Sequence, residues 1–70
     1  MIKNTPKWLS GKPIKSGFYI IAILYENGLG SIETDYWDSE QGWSVEYEVV
    51  GHIPLRQVLN AAGVEFPDTE

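Results

Sequence analysis

The stretch from Phe18 to Tyr47, FYIIAILYENGLGSIETDYWDSEQGWSVEY, decides the fold. Its first eight residues, Phe18 to Tyr25, are apolar throughout and rich in β-branched and aromatic side chains. Such residues favour a packed, pleated environment. They fall on both faces, so this segment is expected to be a central strand covered at least in part on both sides. Asn27-Gly28 follows, a hairpin signal because both residues tolerate positive φ. Ser31 to Trp37 reads as a second strand, Asp38 to Gly42 as a second turn, and Trp43 to Tyr47 as a third strand. A short fourth strand is expected near residues 48–53. A first loop of two or four residues and a symmetric second turn set the faces. They put Phe18, Ile20, Ala22, Leu24, Trp37, Trp43, Val45 and Tyr47 on one face. Tyr19, Ile21, Ile23, Ile32 and Tyr36 fall on the other, with Thr34, Ser44 and Glu46. In that register Trp37 faces Trp43, Asp35 faces Val45 and Glu33 faces Tyr47.

Downstream, Pro54 to Gly63 reads as one short helix. Pro54 suits the first helical position, where its missing N–H costs nothing. Leu55, Val58, Leu59 and Ala62 recur at helical spacing, and Gly63 suits a C-terminal cap. So short a helix is marginal alone and must dock on the sheet. Val64 to Phe66 is expected beside it. Upstream, residues 1–7 read as a loose arm, Trp8-Leu9 as a pin to the domain edge, and Ser10 to Gly17 as turns. Residues 67–70 are expected to fray. The fold class is α+β in a single domain spanning residues 1–70. It is a small antiparallel sheet of three to four strands, a meander, with one short C-terminal helix packed on one face.

Seventy residues are few for a self-sufficient core. A chain of this size buries only about 60% of its unfolded surface. Without cysteine, neither a disulfide nor a thiolate zinc site is available. Stability must come from the three Trp, four Tyr and two Phe with the branched residues, or from self-association. No run approaches a membrane span and no signal peptide is visible, which points to a soluble, cytoplasmic chain.

The net charge is −5 and unevenly placed. Residues 1–17 carry four lysines and no acid, whereas residues 18–53 carry seven acids and no Lys or Arg. An acidic body argues against direct binding to duplex nucleic acid, whose affinity rests on basic contacts to phosphate. The lysines read first as a solvated basic arm, and second as a local anion-contacting lip.

Chemistry is mostly excluded. His52 is the single histidine, and no hydroxyl or carboxylate spacing selects a partner for it. It reads as a strand-end residue with local hydrogen bonds. Glu33 with Asp35, Asp38 with Glu40, and Glu46 with Glu48 share faces or turns, so nothing separates their pKa values for acid/base work. Gly28-Leu29-Gly30 lacks the third glycine and the following helix of a phosphate loop. No catalytic residue, metal ligand or cofactor is assigned. The rings could stack a nucleotide, but in so small a domain core is the leading reading. The best candidate surface is protein-binding: Asp35, Tyr36, Trp37, Asp38, Glu40 and Trp43, aromatic anchors with a charged rim.

The order of features resembles a family. Trp8-Leu9-Ser10 precedes Pro13, then Gly17 with Tyr19-Ile20, then Asp35-Tyr36-Trp37, Gly42-Trp43 and His52-Ile53-Pro54-Leu55. This is similar to a family of short phage and prophage proteins, domain of unknown function 551. That family opens W-I-S and closes H-W-M-P-L-P. The present chain lacks the Trp, the Met and the second proline of that ending. The resemblance implies a phage or prophage origin, a small β-rich domain and a host-cytoplasmic location. It supplies no catalytic residue.

Three functions are expected in descending order. The first is a non-enzymatic binding module acting on a host protein, for example as a defence or metabolic inhibitor. The second is a small-ligand binder that stacks nucleotides. The third is an enzyme built on His52 and a carboxylate, behind which stands a structural accessory role. A homo-oligomer is expected if one face of the first strand stays uncovered.

Overall fold

The computed structural model describes residues 5–65 and Pro67. The expected loose start at residues 1–4, the frayed end at residues 68–70 and the Phe66 contact lie outside the described residues. The elements are β1 (Gly17–Leu24), β2 (Gly30–Asp38), β3 (Gly42–Trp43), β4 (Glu48–Pro54) and α1 (Leu55–Ala62). All strand pairs are antiparallel, in the order β3-β2-β1-β4. This is the expected α+β sheet with one C-terminal helix. The apolar strand β1 is central, and β4 pairs on its far side from β2.

The register corrects the expected faces. The Tyr25 N–H donates to the Leu29 carbonyl at 2.8 Å, which leaves Glu26, Asn27 and Gly28 as a three-residue loop. Gly28 adopts φ 87°, the left-handed residue that such a loop requires. The Asn27 side chain accepts the Leu29 N–H at 3.0 Å. An odd loop shifts the pairing by one residue, and a one-residue shift sends each side chain to the opposite face. Tyr19 therefore pairs with Asp35 and Ile21 with Glu33, while Phe18 pairs with Tyr36. Tyr19, Ile21 and Ile23 share the inner face with Trp37, and these four form the core cluster. Phe18, Leu24, Ile32 and Tyr36 are exposed on the other face.

β3 is also shorter than expected. Trp37 faces Trp43, as the symmetric turn requires, but pairing stops there. The chain then bends through Ser44 to Tyr47 and leaves the sheet. Val45 packs on the core cluster, and the Tyr47 ring meets Tyr25 edge-on at 4.9 Å. The segment thus crosses the inner face on its way to β4, whose first residue pairs with Leu24. This crossing closes the core that one helix could not have covered.

α1 takes the other face, over β1 and β4. Ile53 is buried there, and Ile20 and Ala22 are half-buried. None of the helix's own residues is buried. Its end is closed by two bonds, Gly63 N–H to the Asn60 carbonyl and Val64 N–H to the Leu59 carbonyl. That pair is the Schellman arrangement expected of a C-terminal glycine. Pro54 sits one position earlier than expected: it ends β4 and precedes the first helical residue, with extended ψ 132°. Strand and helix share no loop.

The arm is pinned as expected. Leu9 and His52 exchange backbone hydrogen bonds at 2.9 and 3.0 Å, adding a one-residue bridge outside β4. The Trp8 ring lies over Gly51, where a Cβ would come within 3.2 Å of it.

Candidate functional site

The turn between β2 and β3 is built by its own acids. Asp38 Oδ1 accepts the N–H groups of Glu40 and Gln41, at 2.8 and 3.2 Å. The Ser39 N–H donates to Ser16 Oγ at 2.8 Å, tying the turn to the residue before β1. The Asp35 carboxylate accepts the Ser44 N–H at 2.9 Å and the Ser44 hydroxyl. Burial pushes the Asp35 carboxyl up. The hydrogen bonds from Ser44 and from the neighbouring Tyr36 and Val45 amides outweigh it and hold the group below the usual carboxylate range. This interaction also ends β3. The Ser44 amide, which would continue the ladder, is taken by a side chain instead.

These contacts divide the six residues singled out from the sequence. Trp37 is 6% exposed and stacks edge-on against Trp43, with ring centres 4.9 Å apart. Trp43 in turn meets Tyr19 at 5.7 Å and His52 at 6.1 Å. The two tryptophans are posts of the core, where a partner does not reach Trp37. Tyr36 points to the opposite face and packs on Phe18 at 5.0 Å. Glu40 is exposed at the turn tip, and Asp35 and Asp38 are half-buried. The six therefore form no single surface.

Two other features do lie open. The first is apolar: Phe18, Leu24, Ile32 and Tyr36 are exposed on the β1–β2 half of the helix face. Beside them an open groove of about 690 Å³ runs between Phe18 and the helix residues Leu55 and Leu59, with Val64 at its end. The second is the outer edge of β2. β3 pairs only with Trp37 and Asp38, so among the described residues nothing pairs with Gly30 to Tyr36 on that side. The sequence signal for the first was present: an all-apolar strand followed by one short helix. The second depended on where β3 would stop, which Asp35 and Ser44 decide.

His52 is 4% exposed, held between the Tyr19 ring at 5.4 Å and Trp43. Contrary to the expected strand-end residue with local bonds, it lies inside β4, its backbone bonds reach the sequence-distant Leu9, and its Nδ1 has no hydrogen-bond partner, nor does Trp37 Nε1. Burial holds the imidazole pKa below its ordinary 6.5. The neutral form is thus favoured in the folded state. The unfolded chain binds the extra proton first, so stability is complete above about pH 6.5 and declines as pH falls below it. The denaturation midpoint is expected to drop between pH 7 and pH 5 in the parent chain. It should stay level over that window in His52→Phe, and equal slopes would contradict the assignment. A later loss below pH 3.8 belongs to Asp35, whose lowered pKa gives the same sign.

Among the described residues no three His, Asp or Glu side chains gather as a metal-holding group. No helix among them is long and apolar enough to cross a membrane. No family model matches the chain, and no curated protein or solved structure matches it.

Proposed function

We propose that this chain is a small non-enzymatic binding module that acts on a protein partner, of the kind phage and prophage genomes encode. The observation that carries the reading is the exposed apolar stripe Phe18–Leu24–Ile32–Tyr36 beside the helix groove. A domain with so small a buried core among its described residues leaves this much apolar surface open only at a cost. Contiguous exposed apolar patches of this sort mark interaction surfaces. The net charge of −5 favours a basic partner and would speed its approach.

The test is retention from a bacterial host lysate on the immobilised chain. The parent is expected to hold a partner that a Phe18→Ser/Ile32→Ser variant loses, with circular dichroism showing the variant folded. Retention of nothing above background, or equal retention by the variant, overturns the reading. A nucleotide-binding reading has one observation in its favour. A shallow cleft places Lys12 and Lys15 beside Tyr19 and His52. A rise in melting temperature with nucleotides would favour it over the first.

A further inference from the structure

We propose that the free edge of β2 takes one extended segment of a partner protein as an added strand, and that this segment alternates basic with apolar residues. The inference rests on the binding reading above and names the partner's chemistry.

The two edges of this sheet are treated differently. On the β4 side, Leu9 occupies the His52 N–H and carbonyl. Pro54, two residues on, has no N–H to offer. The register breaks between Ala22 and Ile23, with Val50 as the extra residue in β4. A covering segment, a proline and a bulge are the usual devices that blunt an edge. Among the described residues β2 has none of them between Gly30 and Thr34.

The backbone on that edge is available in a definite pattern. Tyr25 and Leu29 form a hydrogen-bonded pair, and pairs in an antiparallel ladder alternate between bonded and non-bonded. Ser31, Glu33 and Asp35 therefore spend their N–H and carbonyl groups on β1. Ile32, Thr34 and Tyr36 turn theirs outward. An incoming strand would find the groups of Ile32 and Thr34 free, the geometry of strand addition.

Side chains fix the rest. Residues opposite Ile32 and Tyr36 would lie on the exposed apolar face and extend its cover over Phe18. A residue opposite Glu33 would meet its carboxylate, in a region of the chain that holds no Lys or Arg from residue 18 to 53, whereas the Asp35 carboxylate is already held by Ser44 and marks where the free edge ends. Opposite charges across a strand pair stabilise and like charges destabilise. Of the self-pairing registers centred on Ile32, Glu33 and Thr34, the last two are disfavoured on the same ground, and sedimentation tests the first. Antiparallel self-pairing centred on Glu33 sets Glu33 against itself, and pairing centred on Thr34 sets Glu33 against Asp35.

The probe is an eight-residue peptide alternating lysine and valine, with a glutamate–valine peptide as control, and the readout is amide hydrogen exchange of the full chain. The lysine peptide is expected to slow exchange at Ile32 and Thr34, and the control to leave both unchanged. Glu33→Lys should weaken binding by up to about fivefold. Thr34→Pro should abolish it, because proline is tolerated on an edge but removes the outward donor. Three results overturn the inference. One is absence of protection at Ile32 and Thr34. Another is protection confined to the Phe18–Leu59 groove, which would leave the binding reading standing. The last is protection of both amides without peptide in a chain that sediments as a dimer. Failure of the binding reading is separate and shows as no retained protein in the lysate experiment.

Discussion

Replacing Ile21 with Ala is expected to remove about half of the chain's folding stability. Among the described residues Ile21 is the one large side chain that is fully buried, at 0% exposed. It lies in the middle of the central strand, opposite Glu33 of β2 and His52 of β4. Truncating a buried Ile to Ala costs about 2–5 kcal/mol, from lost transfer free energy and the cavity left behind. A domain of 70 residues has roughly 4–10 kcal/mol in all. With so few buried neighbours, the site has little material to collapse into the gap, which places the loss at the upper end. Ile21→Val removes one methyl and should cost only about 0.5–1.5 kcal/mol. Urea unfolding followed by far-ultraviolet circular dichroism measures both. An Ala variant as stable as the parent would mean that the core does not sit on the inner face.

Trp37→Ala is expected to have a comparably large effect, about 3–5 kcal/mol. The ring is the floor on which Trp43 stands, and Trp43 carries the contacts to Tyr19 and His52. Its loss would loosen the crossing segment as well as the hairpin. Trp37→Phe is the informative companion. The indole N–H is buried without a partner, and leaving a polar group so costs about 1–3 kcal/mol. Phenylalanine removes that burden while giving up some packing area, so the two effects nearly offset. A large loss for Ala with a near-neutral Phe is the pattern of a core ring. Were Trp37 an anchor for a partner, Ala would spare stability and abolish binding. Urea midpoints for the two variants, read beside lysate retention, separate these cases.

The sequence made the elements legible and the faces illegible, for one physical reason. Composition marks β1, and the turn glycines mark both hairpins. The helix stripe and Gly63 were readable because cap and periodicity act locally. Facing depends on the parity of a loop. Glu26-Asn27-Gly28 forms a three-residue loop because Tyr25 still pairs with Leu29, and no residue type announces that. The tryptophans followed the same logic: pairing Trp37 with Trp43 was readable, but their burial depended on Val45 and Tyr47 folding over the inner face. The acids of the turn were legible as capping groups in the case of Asp38. Asp35 was not, since its role lies nine residues away at Ser44. The candidate surface moved accordingly, from the turn to the stripe and edge that β3 leaves uncovered.

Leu9 makes growth of this sheet one-sided. A ladder of molecules, whether amyloid or a swapped filament, needs two usable edges on every copy so that each can be both receiver and donor. Here the β4 edge is occupied by the chain's own arm at its centre and interrupted by Pro54 and the Val50 bulge beside it. Any strand added at β2 therefore ends the assembly rather than extending it. The stoichiometry is capped at one added strand per molecule by backbone geometry alone. Cutting the arm away after Leu9 would remove that cap and leave a sheet with two open edges, able to polymerise.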